Sequence, residues 1–454
     1  MVNIVPKKSS RILHRQPNDI LPVAVSGDGP YIIAEDGKRY IDASGGAAVS
    51  CLGHSNQKVR QAIKDQTDKI AFAHTSFFTS KPAEELADFL IERAPEGLGY
   101  AYFVSGGSEA VESALKLARQ YFIELGEDSR KYFIARRQSY HGNTLGALAV
   151  GGNMWRKKQF NPILVDAEHV SPCYAYRDQK ADETQQQYGL RVANELQERI
   201  ETLGAENVIA FVAEPVVGAT AGALAAVPGY FKRVREICDE YGILLILDEV
   251  MCGMGRTGSL FACEQEDITA DILCAAKGLG AGYQAIGAML LSDKIYDAIK
   301  NGSGFFQHGH TYLGHPIACA AALAVQKEIE ENNLLDNVNV MGKKLEKALF
   351  LRFGNYPNIG DIRGRGLFWG LELVADRSTK QPLDPQLQVH SAIKKAAMAE
   401  GLICYPGAGT IDGKQGHHIL LAPPFIINEK HISEIVEKLG KAIDHAFSEK
   451  GITV

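Results

Sequence analysis

The chain has 454 residues, of which 46% are hydrophobic and 22% charged, and its formal net charge is -6. These values are typical of a globular protein of about two or three domains, and they argue against nucleic acid as the main partner. No apolar run approaches the roughly 18 residues of a membrane helix, and the N-terminus lacks a signal-peptide core. Eight cysteines without a Cys-x-x-Cys pair indicate reduced thiols. We therefore expect a soluble cytoplasmic protein that does not bind membranes.

The order of apolar runs predicts three regions. Residues 1–56 are expected to form an N-terminal arm that belongs to the small domain and contains two short strands joined at an Asp-Gly turn. From 57 to 330, helical patterns alternate with short apolar runs, which predicts a large α/β domain with a mostly parallel sheet. Residues 331–454 mix helices and strands and are expected to form a C-terminal small α+β domain. The polar stretches 177–188 and 375–386 are predicted surface loops.

A glycine-rich turn lies between a predicted strand and the clearest predicted helix of the chain. The strand covers Tyr100–Val104, and Ser105-Gly106-Gly107-Ser108 follows it. Apolar residues then recur at helical spacing from Val111 to Leu125. The free N–H groups at the start of such a helix favour a phosphate monoester, and glycines let the ligand approach closely. On these residues alone, a turn that is merely capped by a serine is an equal alternative.

Two apolar runs end in a carboxylate pair and in a lysine. Ile243–Leu247 precedes Asp248-Glu249, and Ile272–Ala276 leads to Lys277. Both runs have the length of buried strands, so these side chains are expected at the sheet edge where α/β proteins bind ligands. A lysine with so few polar neighbours can form a Schiff base, and a facing acid suits pyridoxal phosphate (PLP), whose ring nitrogen must stay protonated. A strand-end lysine that points into water is the alternative.

Two further patterns imitate ligand sites. Gly253–Gly258 matches G-x-G-x-x-G, but it does not directly follow a strand and no amphipathic helix follows it. His308 and His310, with His315 nearby, resemble a metal site that lacks further ligands of defined spacing. We expect neither a nicotinamide site nor a metal site.

Taken together, these segments resemble the class III aminotransferases, which are PLP enzymes of fold type I. The similarity covers nearly the whole chain, and the segments that carry it are 105–119, 139–144, 213–218, 245–250, 275–279, 308–316 and 363–367. The resemblance implies the α/β fold of PLP-dependent transferases, with a mostly parallel sheet in the large domain. It also implies an obligate homodimer with its active sites at the subunit interface.

The resemblance also implies a role for individual residues. Lys277 carries the Schiff base, and Asp248 pairs with the pyridine nitrogen, so these two are the expected catalytic residues. Tyr140 stacks on the ring, and His141 follows it in the same cofactor-binding motif. The other expected cofactor-binding residues are Gly106, Gly107 and Ser108 at the phosphate, Glu214 and Val250 beside the ring, and Thr311, which reaches the phosphate in the partner subunit. Gly106 stands where many members have serine.

The implied activity is transfer of an amino group from an amine or ω-amino acid to a keto acid such as pyruvate, through PLP and pyridoxamine phosphate. A PLP-dependent lyase or decarboxylase on the same scaffold is the alternative. Leu420 stands where ornithine-, acetylornithine- and aminobutyrate-type members carry an arginine for the substrate carboxylate. This departure favours the ω-transaminase branch, many of whose members carry a mobile arginine slightly upstream.

The corresponding loop here, 405–418, contains no arginine. Lys414 or a histidine of this loop is a candidate for the carboxylate, and a plain solvent loop is the alternative. Arg363 is interpreted as structural. Ala47 and Ala48 fall where several ω-transaminases have bulky pocket residues, which predicts a roomier site.

Overall fold

The computed structural model describes residues 10–452. Residues 1–9 and 453–454, the ends of the predicted arm and of the predicted small domain, lie outside the described residues. The first elements of the described chain are β1 (Ala24–Asp28), β2 (Tyr31–Ala34), β3 (Arg39–Asp42), α1 (Gly45–Ala48), α2 (Gln57–Lys69) and α3 (Lys81–Ile91). β2 and β3 are antiparallel, and Gly37 of the Asp-Gly turn between them has a φ of 81°. The predicted hairpin is therefore confirmed.

The central part of the chain alternates strands and helices. Its elements are β4 (Leu98–Val104), α4 (Gly107–Glu124), β5 (Tyr132–Arg136), α5 (Leu145–Val150), α6 (Met154–Lys157), β6 (Glu168–Val170), α7 (Ala175–Asp178), α8 (Gln185–Leu203), β7 (Val208–Ala213), β8 (Val216–Val217), β9 (Leu224–Ala225), α9 (Tyr230–Glu240), β10 (Leu244–Asp248), β11 (Ile272–Ala275), β12 (Gly287–Ser292), α10 (Asp293–Asn301) and α11 (Pro316–Glu331). The glycine-rich turn leads from β4 into α4, as its sequence predicts.

Seven of these strands form one sheet in the order β4-β12-β11-β10-β7-β5-β6. The strands from β11 to β6 run parallel, and β12 is antiparallel to both β11 and β4. Every residue of β7 and β10 is buried, because their uninterrupted apolar sequences are covered on both faces by helices. The prediction of a mostly parallel sheet is confirmed. Because β10 and β11 are parallel neighbours, their carboxyl ends lie side by side.

The last part of the described chain mixes helices and strands. Its elements are α12 (Leu334–Phe353), β13 (Ile359–Arg365), β14 (Phe368–Asp376), β15 (Gln381–Pro382), α13 (Val389–Ala399), β16 (Leu402–Ile403), β17 (Tyr405–Ala408), β18 (His417–Leu421) and α14 (Glu429–Glu449). β13, β14, β18 and β17 form an antiparallel sheet, while β16 pairs with β3 of the N-terminal hairpin. The N-terminal hairpin and the C-terminal part of the chain thus contribute strands to one small sheet. The domain boundaries at 56/57 and 330/331 remain predictions.

The predicted surface loops are wrong in part. Of the stretch 177–188, Arg177 belongs to α7 and the last four residues form the first turn of α8, which Thr184 caps. Arg177 binds Glu372 of β14, and no local pattern reveals so distant a partner. The stretch 375–386 includes the end of β14 and the short strand β15. Within residues 10–452, no helix is long and apolar enough to cross a membrane.

Candidate active site

A cavity of about 520 Å³ lies at the carboxyl ends of β10 and β11. The ends of both strands, the first turn of α4 and the loop after β5 contribute to its wall. Of the predicted site residues, the structure brings the following together in this wall: Gly106, Gly107, Ser108, Tyr140, His141, Glu214, Asp248, Val250 and Lys277. The chain therefore collects these residues from five separate segments at one place.

Asp248 is the last residue of β10 and is buried. Its Oδ1 accepts a hydrogen bond of 3.0 Å from the backbone N–H of Val250, and its Oδ2 lies 2.8 Å from Nδ1 of the buried His141. These two contacts fix the orientation of the carboxylate. His141 Nε2 is buried without a hydrogen-bond partner among residues 10–452. The sequence motif placed His141 in the site but did not reveal this bond, because the two residues are far apart in the chain.

Lys277 follows β11 and starts a short turn with a φ of 47°. A residue other than glycine rarely adopts this left-handed conformation, and such strain is often concentrated at functional sites. Gln326 of α11 holds the turn, since its Nε2 donates to the carbonyl oxygens of Gly278 and Leu279. Burial lowers the pKa of Lys277, although the charges of Asp248 and Glu214 act in the opposite direction. Its amine is therefore easier to deprotonate than that of a lysine in water.

At the start of α4, the surrounding atoms require glycine at position 107 but not at position 106. A Cβ on Gly107 would lie 2.7 Å from Cγ1 of Val250, whereas a Cβ on Gly106 would meet nothing within 4 Å. Ser108 Oγ accepts a hydrogen bond of 3.1 Å from the backbone N–H of Asn143. The first turn of a helix leaves backbone N–H groups free, and Gly107 and Ser108 of this turn line the cavity. The turn can bind an anion such as a phosphate.

Glu214 connects the strand end of β7 to the loop that carries Tyr140. Its carboxyl oxygens accept hydrogen bonds from the backbone N–H groups of Tyr140, at 2.9 Å, and Gly218, at 3.1 Å. Burial raises the pKa of Glu214. Burial also raises the pKa of Tyr140, while the nearby Arg156 and Arg15 lower it. Glu214 thus holds the backbone that presents the Tyr140 ring to the cavity.

Thr311 does not line this cavity and is exposed. The expectation that it reaches the site of a partner subunit concerns a second chain and remains a prediction. The structure shows only that its side chain is available for such a contact.

Sequence reasoning missed several residues of the cavity wall, among them Arg15, Arg156 and Tyr405. Arg156 lies on α6, whose four residues are too short for a periodic pattern. Tyr405 pairs across the β17–β18 hairpin with Leu420, the residue that replaces the expected arginine. Leu420 is buried in an apolar cluster and does not line the cavity. Because Tyr405 lies opposite Leu420 in the register of these two strands, the position of Leu420 was a signal that could have led to Tyr405.

Several expectations about the substrate side need correction. Lys414 is exposed and does not line the cavity, so the structure does not place it near the site. His417 and His418 are buried away from the cavity wall, with Nδ1 of His418 2.7 Å from Thr410 Oγ1. Ala47 lines the cavity as expected, but Ala48 is buried behind it in an apolar cluster. Only one of the two alanines therefore widens the site.

Arg363 lies in a buried network and not in the cavity wall. Its guanidinium contacts the carboxylates of Asp361 and Glu372 at 2.7 Å and donates to the carbonyl of Gly222 at 3.0 Å. These contacts join β13, β14 and the β8–β9 segment, which agrees with the structural interpretation.

The two patterns that imitate ligand sites have packing roles. A Cβ on Gly255 would lie 2.7 Å from Leu335 of α12, and one on Gly258 would lie 2.2 Å from Asn339. These glycines let a turn pack closely against α12. His308 Nε2 lies 2.9 Å from Ser113 Oγ on α4, and its ring contacts that of His310 edge-on. Within the described part of the chain, no group of three or more His, Cys, Asp or Glu side chains could hold a metal ion.

The parallel sheet, with a lysine and an aspartate at adjacent strand ends and a glycine turn before a helix, defines the fold of type I PLP-dependent transferases. The profile of the Aminotransferase class-III family matches residues 12–443. The chain belongs to this family of enzymes.

Known proteins resemble this chain over almost its full length. An uncharacterized aminotransferase of Schizosaccharomyces pombe is 46% identical over 438 residues, which are 96% of this chain and 95% of that protein. Gamma aminobutyrate transaminase 3 of Solanum lycopersicum, a chloroplastic protein, is 35% identical and covers 94% of this chain, with 81% of its own length matched. The omega transaminase from Pseudomonas jessenii, solved in complex with PMP, has a TM-score of 0.89 and 33% identity, with 96% of this chain and 94% of that chain covered.

Proposed function

We propose that this protein is a PLP-dependent aminotransferase that moves an amino group from an amine or ω-amino acid to a keto acid such as pyruvate. The observation that carries the proposal is that Lys277, Asp248 and the first turn of α4 line one cavity. PLP has an aldehyde, a pyridine nitrogen and a phosphate, and each of these groups finds a chemically suitable partner there. The open space at Gly106 leaves room for the phosphate beside the helix. The residues present therefore fit the cofactor.

When bound, PLP accepts the electrons left by a broken bond at the substrate carbon and carries the amino group between the two substrates. Lys277 would hold the cofactor aldehyde through Nζ, and the substrate amine would compete with Nζ for that position. With Nζ free, Lys277 would serve as the base that takes the proton from the substrate carbon and as the acid that gives a proton back. Burial lowers the pKa of Lys277, which favours the unprotonated amine that this role requires.

Asp248 keeps the ring nitrogen protonated through a charge-assisted hydrogen bond. His141 and the N–H of Val250 orient the carboxylate for this contact. Tyr140 provides a flat face for the ring, and Glu214 holds the backbone of Tyr140 in place. Gly106, Gly107 and Ser108 bind the phosphate at the start of α4. The PMP in the P. jessenii enzyme, the amino form of the same cofactor, supports this assignment.

The active unit in this proposal is a homodimer. Exposed aromatic side chains form an apolar face, which we define as Phe72, Phe77, Phe78 and Tyr312, with exposed fractions of 36%, 79%, 69% and 59%. The ring centroids of Phe72 and Tyr312 lie 5.7 Å apart, and Thr311 precedes Tyr312 in the chain. Patches of this kind usually mark protein contacts. In the proposed dimer a second copy buries this face, and Thr311 reaches the partner subunit's phosphate site.

Domain organisation and location complete the proposal. The large domain spans 57–330, and the small domain combines the arm 1–56 with 331–454, which the pairing of β3 with β16 supports. A cytoplasmic location agrees with eight cysteines that are all buried and free of disulfides.

A two-stage assay tests the proposed reaction. Protein loaded with PLP is first mixed with a panel of amines and ω-amino acids, and the absorbance of the lysine-bound cofactor is followed. At least one donor should abolish this absorbance, and addition of pyruvate alone should restore it. Continuous release of ammonia or CO2 from one substrate without a keto acid would instead identify a lyase or a decarboxylase. Protein that binds no PLP would contradict the proposal as a whole.

A further inference from the structure

We propose that Arg156 of α6 binds the carboxylate of the substrate. The inference rests on the proposed aminotransferase function and adds to it the residue that recognises acidic substrates. In this role Arg156 takes the place of the earlier candidates, Lys414 and the hairpin histidines, which do not line the cavity.

The first argument is that Arg156 stands in the cavity wall without a carboxylate partner. Its guanidinium carbon lies 4.7 Å from the centroid of the Tyr140 ring, and the side chain is only partly exposed. Among residues 10–452, no Asp or Glu forms an ion pair with it, whereas Arg177, Arg363 and Arg365 each contact a glutamate. An arginine held against an aromatic face keeps its planar set of N–H donors available for a bidentate contact with a carboxylate.

The charges around the cavity favour an anion on this side. Arg15 also lines the cavity, and both arginines lie close enough to lower the pKa of Tyr140 against the effect of burial. Among the described residues 10–452, the carboxylates in the cavity wall are Asp248 and Glu214. Asp248 is bound to His141, and Glu214 accepts two backbone hydrogen bonds. The Arg156 side therefore carries positive charge that no residue of the wall neutralises.

The position of Arg156 is fixed by contacts that extend to the β17–β18 hairpin. Asn153 caps α6 by accepting a hydrogen bond of 3.3 Å from the backbone N–H of Arg156, and its side chain is held by Gln138. Gln138 Nε2 in turn donates to the carbonyl of Gly409 at 2.6 Å. A Cβ on Gly413 would lie 3.2 Å from the backbone nitrogen of Trp155. The hairpin contains no arginine of its own, and it supports the helix that presents one to the cavity.

Phosphate and carboxylate are both anions that arginine binds, so the cofactor phosphate is a second source of the same chemistry. The first turn of α4 already offers a phosphate site with free N–H groups and Ser108. We assign Arg156 to the substrate. The two assignments differ in what its removal changes, namely selectivity between substrates or affinity for PLP.

The test uses Arg156→Met in the full-length protein loaded with PLP. Lys158→Met is the matched control, since Lys158 is an exposed cation next to α6 that does not line the cavity. Two acceptors are compared in single-turnover reactions with the amino form of the enzyme: pyruvate, and acetaldehyde, which lacks only the carboxylate. Binding of propanoate, which cannot react, is measured separately by calorimetry.

We expect Arg156→Met to raise the pyruvate concentration for half-maximal rate and the propanoate dissociation constant by roughly tenfold to a hundredfold, as for a lost hydrogen bond to a charged group. The acetaldehyde concentration for half-maximal rate and the dissociation constant of PLP should each change by less than about twofold. A twofold change is a small free-energy difference, since a tenfold change corresponds to about 1.4 kcal/mol. Lys158→Met should resemble the wild type in every measurement. Arg156→Lys should recover part of the pyruvate selectivity, because it keeps the charge but not the planar donors.

Three results would overturn the inference. Equal effects of Arg156→Met on pyruvate and acetaldehyde would show a general structural role. Weaker PLP binding with unchanged selectivity would assign Arg156 to the cofactor phosphate. Selectivity that is lost in Arg15→Met but kept in Arg156→Met would move the site to Arg15. Failure of the aminotransferase proposal itself gives a different result, because the wild-type protein would then transfer an amino group to neither acceptor.

Discussion

Lys277 combines a left-handed backbone with a buried amine and an aspartate at the adjacent strand end. Each property alone has a structural explanation, but together they favour a chemical role, because the protein tolerates backbone strain and a desolvated amine at the same residue.

Lys277→Ala should fold and still bind PLP non-covalently through the start of α4, Asp248 and Tyr140. Transamination should fall by several orders of magnitude, since both the covalent attachment and the proton carrier are lost. Borohydride reduction followed by peptide mass mapping should place the cofactor on Lys277 in the wild type and on no lysine in the variant. Lys300→Ala, at an exposed position, is the control. A reduced adduct at another lysine of the wild type would refute the assignment.

Asp248→Asn tests the partner of the ring nitrogen. A neutral amide cannot hold the ring proton, so we expect transamination to fall by well over tenfold while PLP remains bound. A change within about tenfold corresponds to only about 1.4 kcal/mol in the barrier, and this small effect would show that Asp248 is not the partner. Single-turnover rates with saturating donor, with bound PLP measured in parallel, separate loss of chemistry from loss of cofactor.

At the scale of elements, the start of α4 is defined by two adjacent glycines with different surroundings. Gly107→Ala should weaken PLP binding and lower the thermal stability, since its Cβ would lie 2.7 Å from Val250 and overpacking of this kind costs about 1–3 kcal/mol. Gly106→Ser is the matched variant, because no protein atom lies within 4 Å of the added Cβ. It should retain the thermal stability, and any weakening of PLP binding should be smaller than in Gly107→Ala. Equal damage from both substitutions would argue against the described geometry of this turn.

The β17–β18 hairpin carries an acid-sensitive residue outside the cavity. His417 is fully buried, and neither ring nitrogen has a hydrogen-bond partner in the part of the chain that the structure describes. Burial lowers the pKa of His417 to about 4. Because the folded protein holds this ring neutral, its contribution to stability is complete above pH 6.5, the ordinary histidine pKa, and is lost as the pH falls towards 4.

His417→Leu should therefore reduce the loss of stability between pH 6.5 and 4 by up to roughly 3 kcal/mol, the equivalent of the shift in pKa. Chemical denaturation at several pH values measures this difference. His445→Leu, at an exposed position on α14, serves as the control and should leave the pH dependence unchanged. If the wild type and His417→Leu lose stability in parallel, protonation of His417 does not contribute to acid unfolding.

At the scale of the whole molecule, the exposed apolar face and Thr311 predict that a complete site needs two chains. Thr311→Ala should raise the PLP dissociation constant by several-fold to a few tens-fold, as for one lost hydrogen bond to phosphate, which is typically worth about 0.5–1.5 kcal/mol or more. Its activity should also depend more strongly on protein concentration than that of the wild type. Sedimentation velocity should show a dimer for both proteins at high concentration.

Mixed dimers separate this role from a local one. When Thr311→Ala and Lys277→Ala subunits are unfolded together and refolded, each mixed dimer has one site with an intact Lys277 and the partner's intact Thr311. The PLP affinity at the Lys277-containing site should then return to the wild-type value. If it stays weak, Thr311 acts within its own subunit and the interface assignment is wrong.

Much of the fold and of the cofactor site could be predicted from residue order. The runs before Asp248 and Lys277 are apolar without interruption, which is the pattern of strands covered on both faces, and parallel strands place their carboxyl ends together. The glycine-rich turn and the periodic helix after it predicted the start of α4. These features are local, so the sequence carries them directly.

Contacts between distant segments could not be predicted in the same way. Nothing near His141 shows that its Nδ1 meets Asp248. Likewise, no local pattern shows that Arg177, in a predicted loop that is partly helical, pairs with Glu372. Arg156 was missed because α6 is too short to show periodicity, and the hairpin that supports it lies far along the chain. Local pattern thus determined the strands, the glycine turn and the positions of the proposed catalytic pair. Only tertiary packing decided which side chains complete the cavity, because its wall joins segments that no short-range rule relates.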